Sequence, residues 1–442
     1  MFPLDIFSAY NQRMRSRFRI NSWLLPALVL ASIIMDFISP ARVWKITMIG
    51  LGGALIVSFF WARGLARGLT LKREIRFGWA QVGDRLEERF TLTNTSNFPA
   101  IWLEIDDHST MPDYHASLAT GLGSNTESQL LTRGTCSRRG LYILGGATLQ
   151  SGDPLGIFSV THEDAASATL LVLPPVVPLP AIDIHPGGAL GDGRPRPNSP
   201  EQSVGAAGVR EYQPGDSLKR IHWPTTARLG KPFVRLFDGT PASNWWIVLD
   251  LDAAAQVGQG YDSTDEHGVI LAASLIDRAL RSRQPVGLAV NGHEPAWTPP
   301  REGQQQRFGL LYTLALAQPG SFSLADFIRC NERAFGMGSS LIIITASTEP
   351  AWLEALAPLA WRGIIPTVLL LDPLTFGGQA NPALQVTRCG QMGVACHVIP
   401  RELLDRPEAR PGHSGEWEWR TSFTGKVTAT HNPPGADWRP LV

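Results

Sequence analysis

The sequence has no excess of either charge. Lys plus Arg is 39 and Asp plus Glu is 39 in 442 residues, so the formal net charge is zero. A nucleic-acid binder normally carries a basic surplus and a solvating tail an acidic one, and the balance argues against both. Charged residues are also few, 18% against 44% hydrophobic, which excludes global disorder. Cysteine is scarce: Cys136, Cys330, Cys389 and Cys396. Only the last two are close in sequence, and their spacing matches no zinc knuckle. Reduced core thiols are expected rather than disulfides or metal ligands. No Gly-x-Gly-x-x-Gly follows a strand pattern and no Gly-Lys-Ser/Thr loop exists, which argues against dinucleotide and P-loop nucleotide binding. Gly and Pro are plentiful, at 43 and 34, and predict many turns and linkers. The length suffices for two or three domains.

The first 65 residues differ from the rest. Trp23 to Ile38 is nearly apolar, interrupted by Pro26 and by Asp36 near its end. Val43 to Trp61 is a second apolar stretch with only Lys45 inside. Each is about as long as a membrane-crossing helix needs. Only Ser39-Pro-Ala-Arg42 lies between, so a two-helix transmembrane hairpin is expected over 1–65. Arg13, Arg15, Arg17 and Arg19 precede it and Arg63, Arg67, Lys72 and Arg73 follow. Basic flanks stay in the cytoplasm, so both termini and the soluble domains are predicted to face inward, against the single dissent of Arg42. A signal peptide is the alternative, but no small-x-small cleavage site follows residue 35. Asp36 reads as a solvated helix end rather than a functional intramembrane acid.

From about 70 to 175 the pattern turns to period two. Phe90 and Leu92 alternate with Thr91 and Thr93, and Ile101, Leu103 and Ile105 with Trp102, Glu104 and Asp106. Glycines and Pro174-Pro175 end further strands, which predicts a small antiparallel β-sandwich. His108 and His115 lie among Asp106, Asp107 and Asp113, read as solvated polarity rather than a metal site. Residues 176–207 are a Pro/Gly-rich linker.

Residues 208–242 hold Gly208-Val-Arg-Glu-Tyr-Gln-Pro-Gly-Asp-Ser-Leu-Lys-Arg-Ile-His-Trp223, then Ala227-Arg228. Pro214-Gly215 is a turn, and Asp216 suits the cap of a short helix from Ser217. Arg210, Arg220 and Arg228 are placed to brace it through Glu211 and Asp216 by bidentate pairs. Asp216 with His222 also supplies the parts of acid–base catalysis, with Thr225 and Thr226 the nearest hydroxyls. Structural bracing or partner docking is the preferred reading.

This string resembles the signature of the bacterial domain-of-unknown-function 58 family. The matching residues are Arg210, Tyr212, Pro214, Gly215, Asp216, Arg220, Ile221, Trp223, Ala227 and Arg228, with Glu211 and His222 between them. Arg139-Gly-Leu-Tyr142 and Asp153-Pro-Leu-Gly-Ile-Phe158 agree too, as does the two-helix start. The resemblance implies a membrane-anchored protein with a von Willebrand factor type A-like domain that works with a MoxR-type AAA+ ATPase.

From 243 to 405, apolar runs at Trp245–Leu249, Val286–Val290, Leu341–Ile344, Thr367–Leu371 and Ala395–Ile399 alternate with helix patterns at 266–281, 308–316 and 324–335. Such alternation predicts a doubly wound parallel sheet. Ligands bind beyond the carboxyl ends of such strands, where Asp250 and Asp252 lie. Type A domains hold Asp-x-Ser-x-Ser there for a divalent cation. Here Asp250-Leu-Asp252-Ala-Ala254 keeps only the first Asp, so a degenerate site is expected, although Mg²⁺ on Asp250, Asp252 and Thr345 is the rival reading. His397 reads as a core residue. The tail 406–442, with Trp417, Trp419 and Trp438, can dock on the chain or on a partner. The expectation is a non-enzymatic, two-pass membrane adaptor, partnered by lipid and an AAA+ ATPase and not by nucleic acid. Its rivals are a metal-dependent hydrolase or ligand-binding domain on Asp250 and Asp252, and an extracytoplasmic adhesion protein.

Overall fold

The computed structural model describes residues 15–180, 182, 184, 206–213, 221–237, 244–336, 339–362, 364, 366–405, 419–421, 427–429 and 439–440. The chain divides into two compact units. The first draws on the chain up to Val177, on Leu314–Leu316 and on the segment after Leu404; the second takes the rest.

The first unit contains β1 (Arg15–Ile20), α1 (Leu24–Ile38), α2 (Arg42–Gly68), β2 (Leu69–Ile75), β3 (Trp79–Gln81), β4 (Arg85–Asn94), β5 (Ala100–Asp107), β6 (Leu118–Leu122), β7 (Thr126–Thr135), β8 (Gly140–Gly152) and β9 (Phe158–Leu173). One sheet runs β1-β9-β8-β5-β6, with β3 added parallel to β9, and the other contains β2-β4-β7. Strict alternation points one side of each strand inward. Leu71, Ile75, Leu86, Phe90 and Leu92 of one sheet share an apolar core with Leu103, Ile105, Leu144, Leu149 and Val172 of the other.

Within the arginine-rich stretch before the apolar segments, Arg15–Ile20 is a strand; Arg13 lies outside the described residues. Arg15 stands opposite Glu163 and Ile20 opposite Phe158 in β1–β9. Its alternation explains this. Phe18 packs on Phe158 and Phe59, at ring-centre distances of 5.2 and 5.8 Å, while Arg17 reaches Glu163 at 3.3 Å.

Both apolar stretches are helices, and they differ in length. α2 is long and apolar enough to cross a membrane, whereas α1 has 15 residues. At 1.5 Å per residue that is about 22 Å, short of a ~30 Å hydrocarbon layer. α1 starts only after β1 has ended, and Pro26 is tolerated because first-turn amides lack intrahelical partners. α2 runs past Trp61 into the sheet core. Ser58, Ala62, Leu65 and Gly68 form its buried stripe, and Trp61 donates its indole N–H to the Pro99 carbonyl at 3.0 Å. The small residues allow the close approach: a Cβ on Gly68 would lie 2.6 Å from the Ser96 nitrogen. Gly68→Val is therefore expected to destabilise the first unit by about 1–3 kcal/mol. Gly50→Val, at a position with open space around it, is expected to leave the thermal midpoint in detergent unchanged.

Charge lies inside this unit. Arg73 forks onto Glu88 (Nε–Oε1 3.1 Å, Nη2–Oε2 2.6 Å) and reaches Asp107 at 2.6 Å. Tyr114 donates to Glu88, Ser109 and the Ala116 amide bond Asp107, and the guanidinium lies 4.9 Å from the Phe90 ring centre. Both carboxylate side chains are fully buried. Burial alone would raise the Asp107 pKa, but the charge and hydrogen bonds of Arg73 hold it below the ordinary value. Asp107 is thus not the solvated loop residue expected. His108 is exposed and bonds Thr148 at 2.9 Å.

The second unit holds β10 (Ala206–Glu211), α3 (Trp223–Leu229), β11 (Phe233–Phe237), β12 (Trp245–Leu249), the short β13 (Gly258–Gln259) and β14 (Asp262–Ser263), α4 (Thr264–Arg281), β15 (Val286–Val290), β16 (Ala296–Arg301), α5 (Gln304–Leu316) except its last three residues, α6 (Leu324–Asn331), β17 (Ser340–Thr345), α7 (Ala351–Glu354), α8 (Ala357–Trp361), β18 (Thr367–Leu371), α9 (Ala383–Gln391) and β19 (Ala395–Ile399). Its six-stranded sheet runs β16-β15-β12-β17-β18-β19, parallel throughout except for β16. The four inner strands are almost wholly buried, as their continuous apolar sequences require. β16 escapes a sequence reading because it carries Pro299 and Pro300, which an antiparallel edge strand tolerates. β19 is the other edge, so His397 is half-buried rather than core. Cys330 is exposed, against the expectation of a core thiol, and α6 stops at Asn331, short of the expected 335. Arg439–Pro440 of the tail pairs with Ile75 and Glu74 of β2; Trp417 and Trp438 lie outside the described residues.

Candidate functional site

Two places carry the predicted site residues. The first is the hairpin of β10 and β11, in which Arg210 faces Val234 and Glu211 faces Phe233. The Tyr212 amide donates to the Pro232 carbonyl at 2.9 Å and the His222 amide to the Phe233 carbonyl at 2.7 Å. These bonds draw α3 onto the hairpin. His222 precedes that helix, and its Nδ1 lies 2.6 Å from the Thr225 hydroxyl. Thr226 Oγ1 accepts from the Phe233 amide at 3.0 Å. Glu211 pairs with Lys231 at 3.1 Å, an exposed contact of little energetic weight. Trp223 is 67% exposed, and Arg228 is exposed too. Gly215, Asp216 and Arg220 lie outside the described residues, as does the side chain of Arg210. The structure therefore joins Tyr212, His222 and Thr225 to one hairpin-and-helix motif and presents Trp223 to solvent.

The second place is the carboxyl end of the six-stranded sheet. The strand order reverses between β12 and β17, and a ligand crevice forms beyond such a reversal. Asp250 follows β12 there and is 3% exposed. Its Oδ2 accepts from the Thr345 hydroxyl at 2.5 Å, and its Oδ1 from Asn291 Nδ2 at 2.8 Å and from the Asp252 amide at 3.1 Å. Three of about four acceptor positions of the carboxylate are thus taken by protein donors. Burial pushes its pKa up; the Thr345 and Asn291 bonds pull it back only in part. The Asp252 side chain makes a local bond, its Oδ1 accepting from the Ala254 amide at 3.0 Å. The Gln256 amide spans the Asp250 and Asp252 carbonyls at 3.2 Å each. Among the described residues, no group of three His, Cys, Asp or Glu is placed to hold a metal ion. The residue donors Asn291 and Gln256 were not read from the sequence. Asn291 had a signal, since it follows strand Val286–Val290 as Asp250 follows Trp245–Leu249.

Residues 208–373 match the sequence model of the family described as protein of unknown function DUF58. This stretch is a DUF58 segment. It takes in the β10–β11 hairpin, α3 and the sheet strands from β12 to β18, so Trp223 and Asp250 both belong to it. The chain is 30% identical over 173 residues to an uncharacterized protein of Mycobacterium tuberculosis, spanning 37% of this chain and 54% of that one. It is 26% identical over 263 residues to the uncharacterized protein YeaD of Bacillus subtilis, spanning 57% of this chain and 63% of YeaD. The chain thus spans about half the length of the mycobacterial relative. Among solved structures, an aerotolerance-related membrane protein from Bacteroides fragilis is 18% identical, with a TM-score of 0.24, over 42% of this chain and 81% of that one.

Proposed function

We propose that this DUF58 protein is a membrane-anchored adaptor that binds a protein partner and does not turn over a substrate. The observation that carries the reading is the surface of the two N-terminal helices. Leu24, Leu28, Ile33, Ile34, Phe37, Ile46, Ile49 and Ile56 are all exposed apolar side chains, which a lipid environment would cover. The β1–β9 pairing supports a two-pass course. β1 precedes α1 and β9 follows α2, so the chain that leaves on one side of a bilayer must return to it. Short α1 then spans by local thinning of the bilayer or with flanking Trp23 at the interface. Basic residues beside the helices favour a cytoplasmic body.

The six-stranded sheet, ordered third-second-first-fourth-fifth-sixth along the chain, supports the von Willebrand factor A-like reading of the second unit. Its Asp250 is occupied by internal hydrogen bonds, which favours binding by surface contact over chemistry. The exposed Trp223 on the signature motif is the favoured docking residue, and a MoxR-type AAA+ ATPase the favoured partner. Crosslinking in native membranes tests this. Recovery of such an ATPase, lost with Trp223→Ala, is the expected result, and its consistent absence defeats the proposal. The rival, a divalent-metal site on Asp250 and Asp252, predicts micromolar Mg²⁺ or Mn²⁺ binding by calorimetry that Asp250→Ala abolishes; no such binding is expected.

A further inference from the structure

One motif in the sequence has no part in either site: Asp153-Pro-Leu-Gly-Ile-Phe158. It is the turn between β8 and β9. Asp153 is 1% exposed, and its two carboxylate oxygens accept from the Leu155 amide at 2.9 Å and from the Phe158 amide at 2.6 Å. Gly156 sits at φ +66°, where a side chain is strained. A buried carboxylate and a left-handed glycine thus fix a tight loop whose tip, Leu155, is 59% exposed. Such rigid bracing of an exposed leucine calls for a partner surface.

The position of the turn supplies that partner. The Asn21 amide, at the start of the helical segment, donates to the Ile157 carbonyl at 2.8 Å. Ile157 and Phe158 cluster with Leu25 of α1 and Leu55 of α2. The loop therefore lies level with the points where both helices meet the sheet. In the same sheet, Trp102 reaches Gly152 and Ile101 lies beside it at the start of β5; they are 36% and 57% exposed. The exposed Arg19 stands opposite Ser159, and the exposed Arg63 lies over the Phe59 ring, which meets that of Phe158. The matching end of the other sheet carries polar turns, Thr95-Ser-Asn97 and Gly123-Ser-Asn125. An apolar rim with an aromatic and guanidinium groups beside it has the composition of a surface seated in lipid headgroups.

We propose that Leu155, Ile101 and Trp102 insert into the interfacial layer of the bilayer, so that the end of the β1-β9-β8-β5-β6 sheet rests on the membrane. The inference builds on the anchoring reading above and adds a second, peripheral contact to it. It is tested on the full chain in proteoliposomes of phosphatidylglycerol and phosphatidylethanolamine. In a Cys330→Ser, Cys396→Ser background, an environment-sensitive fluorophore is attached at Leu155→Cys, Ile49→Cys or Ile143→Cys. Lipids brominated at shallow acyl positions are expected to quench the probe at 155 by more than half and that at 143, which lies away from this end of β8, hardly at all. Aqueous iodide should show the reverse order. If Ile49→Cys is quenched by lipid but Leu155→Cys only by iodide, the sheet stands clear of the membrane and the inference fails while the anchor survives. If neither is quenched by lipid, both fail. Equal lipid quenching at 143 and 155 also overturns it, because the contact is then not confined to this end.

Discussion

Arg73→Leu is expected to lower the stability of the first unit by about 3–5 kcal/mol, since it leaves Glu88 and Asp107 buried without their counter-charge. Arg17→Ala, which removes a pair exposed on both sides, is expected to cost less than about 1 kcal/mol. The difference isolates burial as the cause. The pH dependence carries the same information. The folded protein holds the Asp107 carboxyl below its ordinary value, so its contribution is full above the unfolded value and is lost as pH falls through the folded one. In Arg73→Leu that slope should invert, because protonation of Asp107 then relieves a buried charge that has lost its partner. Chemical denaturation in detergent at about pH 3, below the ordinary carboxyl value, and at pH 7.5 reads both effects. An Arg73→Leu protein as stable as wild type at neutral pH would show that the cluster contributes nothing net.

Asp250 gives the second large expectation, with the opposite sign. Burial raises its pKa, so the native state favours the neutral acid more than the unfolded chain does. The second unit should therefore lose stability as pH climbs from the ordinary carboxyl value toward the raised one. Asp250→Asn preserves the geometry: its Oδ1 accepts from Asn291 and the Asp252 amide, while its amide donates to Thr345 Oγ1. It is expected to be as stable as wild type or more so at pH 7.5, with the pH slope flattened. Asp250→Ala strands the buried Asn291 amide and the Thr345 hydroxyl, at about 1–3 kcal/mol for each unsatisfied group. A steep loss in Asp250→Asn comparable to that in Asp250→Ala would mean that the negative charge itself is required, as a cation site demands.

The parallel sheet was legible because its strands are continuous apolar runs, which nothing but a buried strand of that length explains. Edges were less so. β16 has prolines, and β1 spells Arg-Ser-Arg-Phe-Arg-Ile, where strand alternation and a basic membrane flank give the same letters. The ion cluster left a trace that composition hides. Arg73 lies between Leu71 and Ile75, Glu88 between Leu86 and Phe90, and Asp107 two past Ile105, so each occupies the inward register of its strand. A charge on the apolar phase of an alternating strand marks a partner across the core. Of the candidate site, Asp250 and Thr345 were readable from the ends of apolar runs. The bond of Asp252 to the Ala254 amide was not, since it depends on the local backbone and leaves no residue pattern.

The pairing of β1 with β9 also orders events during synthesis. β1 leaves the ribosome long before its partner is made, so the first sheet cannot close until nearly the whole β-rich segment has been translated. At usual elongation rates that delay is on the order of ten seconds. The greasy helices between the two strands emerge within it and must be handed to the insertion machinery while their neighbouring strand is still unpaired.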